Sequence, residues 1–207
     1  GFVWIGTAYG LNRYDGYRVK TYYYNLRDTT TLRSNYVEQI FENGDGCLWL
    51  KQGMSYSIFD PVTERCDRHP ERILEKLGIT GGIEYLFMDS RKDFWVKTYV
   101  NGFFHYNVKN KRLKQFRFGY DKQEIYQEIG VSGMAEFGNM VVLASNKGEV
   151  VTFDRDRDVI VSKDNYLPTH GLTNYQNCVP RFDRDGNLWI ITNGGTYLRD
   201  KKSGQWH

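Results

Sequence analysis

The sequence predicts an all-β protein assembled from a repeated sheet, and three observations carry that prediction. The first is composition: of 207 residues, 21 are Gly, 16 Tyr and 12 Phe against only 4 Pro, a balance that favours short strands and tight turns. The second is periodicity, because nearly every apolar run alternates with period 2 rather than 3.6. The third is a spaced motif. GFVWIGT at 1–7, GCLWLKQ at 46–52, KDFWVKT at 92–98 and GNLWIIT at 186–192 share a central Trp, and GNMVVLA at 138–144 carries Val141 in its place. The anchors Trp4, Trp49, Trp95, Val141 and Trp189 stand 45, 46, 46 and 48 residues apart. Such regularity over a whole chain marks a repeat architecture.

The elements of each unit follow in order. Before each later anchor lies an apolar stretch that ends in acidic residues, Asn or Gly: YVEQIFENGDG at 36–46, IEYLFMDSRKD at 83–93, VSGMAEFGN at 131–139 and CVPRFDRDG at 178–186. The anchor run comes next. A polar turn then leads into GLNRYD at 10–15, SYSIFD at 55–60, GFFHYN at 102–107, GEVVTFD at 148–154 and GGTYLRD at 194–200. A last run closes the unit: YRVKTYY at 17–23, ERCDRHP at 64–70, KRLKQFR at 111–117 and DVIVSK at 158–163. Short alternating runs bounded by Gly, Asp and Asn are strand and hairpin signals, so each unit holds four strands. PERILEKLG at 70–78 departs from this grammar; Ile73, Leu74 and Leu77 have helical spacing and predict a helical turn or two in a linking loop.

A four-stranded unit of this length cannot bury both of its faces. Radial arrangement lets each sheet cover the next, which is a β-propeller. The expectation is a single partial β-propeller domain over 1–207, a fragment of about four and a half four-stranded antiparallel blades. The units span approximately 1–25, 35–70, 82–117, 128–163 and 175–207. The first unit begins at its second strand and the last ends in its fourth, near Gln205 to His207. The alternative is a closed five-bladed ring with incomplete terminal blades. Each Trp is expected in a second strand, packed between adjacent sheets, in preference to serving as a ligand platform.

Several classes of function are disfavoured. A net charge of +3, evenly spread, argues for no nucleic-acid partner and no anionic membrane surface. The basic run KNKRLK at 109–114 reads as a solvated turn. No apolar run approaches the roughly 18 residues of a membrane-spanning helix, so no membrane contact is expected of this stretch. The chain opens at Gly1 inside a strand-like run and reads as an excised piece of something longer. Cys47, Cys66 and Cys178 match no zinc or redox spacing and are expected as isolated thiols. The four His residues, at 69, 105, 170 and 207, lie singly without metal-ligand spacing. His105 alternates with Phe104 and Tyr106 within a strand and is expected to be structural. DRDG at 183–186 and NGDG at 43–46 sit where hairpin turns belong, and a Ca²⁺ loop has no room for its remaining ligands. With no recognisable nucleophile, base and orienter together, no catalytic residue, metal or cofactor is expected.

VWIGTAYGLNRYDG at 3–16 resembles the two-component regulator propeller repeat. That family forms the periplasmic sensor region of Bacteroides-type hybrid two-component histidine kinases. The resemblance implies a parent chain with two such propellers, a β-sandwich domain, a membrane helix and cytoplasmic kinase modules. It implies an oligosaccharide ligand, control of polysaccharide-utilisation genes, and a non-enzymatic role for this part. It further implies a periplasmic location on an inner-membrane protein, a homodimeric parent receptor, and the remaining blades and downstream sensor domains as partners. The later copies LKQGMSYSIFD and VKTYVNGFFHYN depart from the pattern. The motif is structural, so it carries over no binding residue.

Site candidates follow from propeller geometry. Loops between second and third strands, with the linking loops at 26–35, 71–82, 118–127 and 165–174, are expected to open on one face. Sugars need aromatic rings and planar polar groups in such a place. Tyr9, Arg33, Asn35, Tyr99, Asn101, Asn146, Lys147, His170, Asn174 and Asn193 supply that chemistry. Arg33 and Lys147 also suit a carboxylate or sulfate. The competing reading is that Asn in turns serves backbone geometry. Consecutive residues Tyr22, Tyr23 and Tyr24 alternate faces and are expected at a rim. Two further functions fit the architecture: a propeller enzyme acting on polysaccharide, lyase or glycoside hydrolase, and a protein-interaction scaffold.

Overall fold

A computed structural model describes residues 1–117, 119, 122, 125, 130–145, 147–166 and 178–207. These residues form five antiparallel sheets in chain order. The first holds β1 (Val3–Thr7), β2 (Gly10–Tyr14) and β3 (Val19–Tyr22). The second holds β4 (Gln39–Glu42), β5 (Leu48–Gln52), β6 (Ser55–Asp60) and β7 (Arg65–Asp67). The helix α1 (Glu71–Lys76) follows it, within the segment whose spacing predicts helix, and its Leu74 is buried. The third sheet holds β8 (Ile83–Met88), β9 (Phe94–Thr98), β10 (Gly102–Asn107) and β11 (Arg112–Phe116). The fourth holds β12 (Val131–Phe137), β13 (Met140–Ser145), β14 (Glu149–Asp154) and β15 (Val159–Asn165). The fifth holds β16 (Cys178–Phe182), β17 (Leu188–Thr192) and β18 (Thr196–Arg199). Beyond β18, Leu198 and His207 exchange backbone hydrogen bonds of 2.8 and 3.0 Å, and Arg199 bridges Trp206, the start of a further strand. Three four-stranded sheets thus lie between two three-stranded ones, the strand count that the sequence pattern predicts.

The sheets stack face to face, and four apolar clusters fill the four spaces between them. Leu11 of the first sheet meets Leu50 and Phe59 of the second. Trp49 and Ile58 of the second meet Leu86 and Val96 of the third. Trp95 and Phe103 of the third meet Val141 and Phe153 of the fourth. Val142 and Val150 of the fourth meet Cys178 and Ile190 of the fifth. The Trp residues reach forward across these spaces. Trp4 lies against Phe59 with ring centroids 5.6 Å apart, Trp49 against Phe94 at 5.4 Å, and Trp95 against Phe153 at 5.3 Å. Trp49 and Trp95 are fully buried; Trp4 and Trp189, on the first and fifth sheets, are half-buried.

The fourth anchor is corrected by this packing. Val141 faces backward, toward the third sheet, and its neighbour Val142 faces forward as the Trp residues do. A hydroxyl locates the register. Three residues after Trp4, Trp95 and Trp189, the side chains of Thr7, Thr98 and Thr192 each donate to the carbonyl across the hairpin, that of Gly10, Gly102 and Gly195. The same side chains accept a backbone N–H from within the turn. In the fourth sheet Ser145 accepts the turn N–H of Lys147 in this way, which makes Val142 the equivalent of Trp. The preceding turn explains the slip: Phe137 pairs Met140 directly, whereas Met88 pairs Phe94 across five residues.

Those longer turns are built on aspartate. Asp183 Oδ1 accepts the N–H of Asp185 (3.0 Å) and Asn187 (2.9 Å), and its Oδ2 accepts Trp189 Nε1 at 3.0 Å. Asp89 does the same for Arg91, Asp93 and Trp95. The acid therefore closes its own turn and orients the next strand's Trp. The Trp189 N–H, with the Asn187 amide, holds the Asp183 carboxyl well below its ordinary 3.8, at about 2.

Two outcomes follow. Trp49→Ala removes a fully buried ring and is expected to cost about 3–5 kcal/mol in a denaturant titration, with Trp189→Ala costing less than half of that. A carboxyl depressed in the fold stabilises the fold above its ordinary value, and that stability is lost as pH falls through the folded value. Stability should accordingly fall between about pH 4 and 2, Asp183→Asn should lessen that fall, and Trp189→Phe should move the Asp183 carboxyl back toward 3.8 in a carbon-13 NMR titration.

Candidate functional site

Hairpin loops and linking segments meet at one end of the second and third sheets. The linker from Leu32 to Tyr36 is held from two sides. Arg68 donates to the carbonyls of Asp28 (2.9 Å), Thr31 (3.0 Å) and Leu32 (2.9 Å), and Gln52 Nε2 donates to Ser34 O. Arg33 leaves this linker with one Nη1 contact, to Arg68 O at 2.7 Å, and is otherwise exposed. Asn101, in the β9–β10 hairpin, donates from Nδ2 to Thr80 Oγ1 at 2.9 Å and its carbonyl accepts Gln115 Nε2 at 2.6 Å. Gly82 has φ +72 and lies so close to Tyr99 that a Cβ would stand 3.2 Å from the ring. A side chain there would strain the backbone and press on Tyr99.

A cleft of about 170 Å³ opens among these parts, lined by Arg33, Met54, Tyr56, Glu71, Gly82 and Ile83. It combines a cation, a carboxylate and apolar surface. Tyr99, 53% exposed, flanks it through Gly82. Of the residues expected from sequence, Arg33 lines this cleft and Tyr99 stands beside it against Gly82, while Asn101 is tied to Thr80. Tyr9 tips the β1–β2 hairpin and is 80% exposed; that hairpin joins the same linker through Val37 N–H to Thr7 O at 2.8 Å. Asn35 Oδ1 accepts Tyr24 N–H at 2.7 Å, and Asn101 Nδ2 likewise serves the backbone by donating to Thr80 O at 3.2 Å. Lys147 and Asn193 are exposed in the turns of the fourth and fifth sheets. Asn146, His170 and Asn174 lie outside the described residues. Met54 and Glu71 lie in the β5–β6 hairpin loop and the 71–82 link, both expected at this end, but their residue types do not single them out as sugar contacts; the fold brings the 53–54 turn beside α1.

A second cluster is buried between the third and fourth sheets. His105 stacks on Trp95 with centroids 3.9 Å apart, and its Nδ1 pairs with Asp158. Its Nε2 lies 3.4 Å from Asp93 Oδ2. Arg155 reaches across to Asp89 at 3.0 Å and to Glu136 at 2.6 Å. Asp89, Asp93 and His105 offer ligand atoms within 4.8 Å of one another. Those carboxylates already have donors, however: Asp89 has Trp95 and Arg155, and Asp93 has Asn107 Nδ2 and Val108 N–H, both at 2.8 Å. The guanidinium stands where a cation would neutralise the site, so the cluster is a structural clasp. The three cysteines are free; burial pushes the Cys66 and Cys178 thiols up, and Tyr166 donates its hydroxyl to Cys178 Sγ at 3.0 Å.

Comparison with known proteins locates the fold. No family profile matches the chain, and no curated protein matches it. Solved structures do. The extracellular domain of a proposed hybrid two component system, BT3049, from B. thetaiotaomicron superposes over 100% of this chain and 28% of its own, with TM-score 0.65 and 17% identity. The extracellular domain of a proposed one component system, BT4673, from the same organism superposes over 100% of this chain and 31% of its own, with TM-score 0.57 and 17% identity. The chain thus spans under a third of the length of either, and the likeness at this identity is one of fold.

The clasp makes its own prediction. Removing one partner of a buried ion pair leaves the other uncompensated, a loss of about 3–5 kcal/mol. Arg155→Met should destabilise the protein on that scale in chemical unfolding, and the double variant Arg155→Met with Asp89→Asn should recover part of the loss.

Proposed function

We propose that this chain is part of the extracytoplasmic ligand-sensing region of a hybrid two-component sensor histidine kinase, a partial β-propeller that recognises an oligosaccharide at its loop end. The observation that carries the reading is the superposition of the whole of this chain on part of the extracellular domains of signalling systems, and the WIGT and GLNRYD repeat at 4–7 and 10–15 agrees with it. The cleft beside Arg33 adds the chemistry. Tyr9 and Tyr99 present rings for the apolar faces of sugars, and Arg33 and Glu71 present planar charged groups for hydroxyls or an acidic substituent. In this reading the described residues bind and transmit, catalysis belongs to separate kinase modules, and the parent receptor works as a homodimer in the periplasm. The uncovered apolar residues on the other face of the first sheet from Trp4, Val3 and Ile5, are 55 and 45% exposed; they fit contact with a further blade of the ring.

Calorimetry against plant and host oligosaccharides tests the proposal. The protein should bind at least one of them, and Tyr99→Ala and Arg33→Ala should each weaken that binding about tenfold, near 1.4 kcal/mol. A folded protein that takes up no glycan would overturn the reading. Release of new reducing ends or unsaturated products would turn it toward a polysaccharide-cleaving enzyme.

A further inference from the structure

The clasp between the third and fourth sheets has a counterpart between the fourth and fifth, and there the same positions are emptied. Strand register gives the equivalences. Val142 stands for Trp95, and Thr152, which pairs Val142, stands for His105, which pairs Trp95. Phe137 stands for Asp89 and Met140 for Asp93, since Glu136 pairs Val141 as Met88 pairs Phe94. On the facing sheet Asp154 and Asp200 each cap the turn that follows, accepting the N–H groups two and three residues on. Lys201 therefore stands for Arg155. Gly204 (φ +70) stands for Asp158 (φ +53), both in the left-handed region. A stacked indole and imidazole have become Val and Thr, and the carboxylate beside the imidazole has become a glycine hydrogen.

The result is a cavity of about 330 Å³, and all six of these replacement residues line it. Its volume lies within the range of ligand pockets, roughly 300–1,000 Å³. Phe137 and Phe182, with ring centroids 5.5 Å apart, give it an aromatic wall. At its edge Arg199 is paired with Asp164 at 3.2 Å. Among the described residues Lys201 has no such pair: its ammonium lies 5.0 Å from the Phe137 ring centroid, because Phe137 occupies the place of the acid that holds Arg155. The site is thus a slot shaped for flat rings beside a cation whose carboxylate has been replaced. It sits at the Gly138 and Asp200 turns, at the opposite end of the sheets from the hairpin loops that border the Arg33 cleft.

We propose that this slot binds a small planar aromatic acid, its rings in the space that Trp95 and His105 fill one sheet earlier and its carboxylate on Lys201. Calorimetry with indole-3-acetate as the probe, and neutral indole beside it, tests this on the 207-residue chain. Saturable binding of indole-3-acetate is expected. Val142→Trp should refill the slot and weaken both probes at least about tenfold. Lys201→Met should weaken indole-3-acetate to a similar degree and leave indole within about twofold. No saturable binding at millimolar probe, or undiminished binding by a folded Val142→Trp protein, would overturn the proposal. Should Val142→Trp fail to fold, methyl NMR of the unaltered protein decides: shifts at Val142, Val161 and Leu188 on adding the probe support the slot, and their absence overturns it.

Discussion

A β-sheet with two apolar faces has no stable existence alone in water, and that constraint organises the molecule. Each of the three inner sheets must be covered twice, and the neighbouring sheets do the covering. The Trp side chains are the longest reach across these spaces. At about 25 cal/mol per Å² of apolar surface removed from water, a ring buried between two sheets is a large local contribution. The half-buried state of Trp189 follows from the same rule, since Leu188 and Ile190 face the fourth sheet and Trp189 points from the other face of the fifth, which has no described neighbour.

Polar groups enter this stack under strict conditions. Asp89 and Asp183 serve twice, closing a turn through backbone N–H groups and receiving an indole N–H from the strand that follows. Between the third and fourth sheets the arrangement extends to a full clasp of His105, Asp158, Arg155 and Glu136. Buried charges persist only where each has a partner. At the next interface Phe137 stands in the place of the first acid, Met140 and Gly204 stand for the other two, Val142 and Thr152 stand for the Trp and the imidazole, and a cavity lies among them. The turns that carry this variation lie at one end of the sheets, while the Arg33 cleft is built from linkers and hairpin loops at the other. The two ends can therefore vary without disturbing each other's chemistry.

Much of the fold is legible in the chain itself. Alternation gives strands, Gly and Asp give turns, and the recurrence of the anchor run gives the number of sheets, because these signals are local and recur in every unit, with Trp in four of the five anchors. The helix at Glu71–Lys76 is legible for the same reason, from the spacing of Ile73, Leu74 and Leu77. The candidate site is legible only in part. Tyr99 and Arg33 stand out by residue type and loop position, whereas Met54 and Glu71 lie in loops of the right position but of residue types that do not mark a sugar site, and only packing brings them to the cleft.

That the chain is a series of alternating strands in repeated units is written in its residues, since period and turn chemistry are properties of near neighbours. Which face each residue takes in the fourth sheet is set by the packed fold. A turn shorter than its counterparts moves the Trp position from Val141 to Val142, and in a strand a shift of one residue reverses the face. It alone also decided that Val142 borders a cavity, because a cavity is a relation between two sheets and no single strand records it.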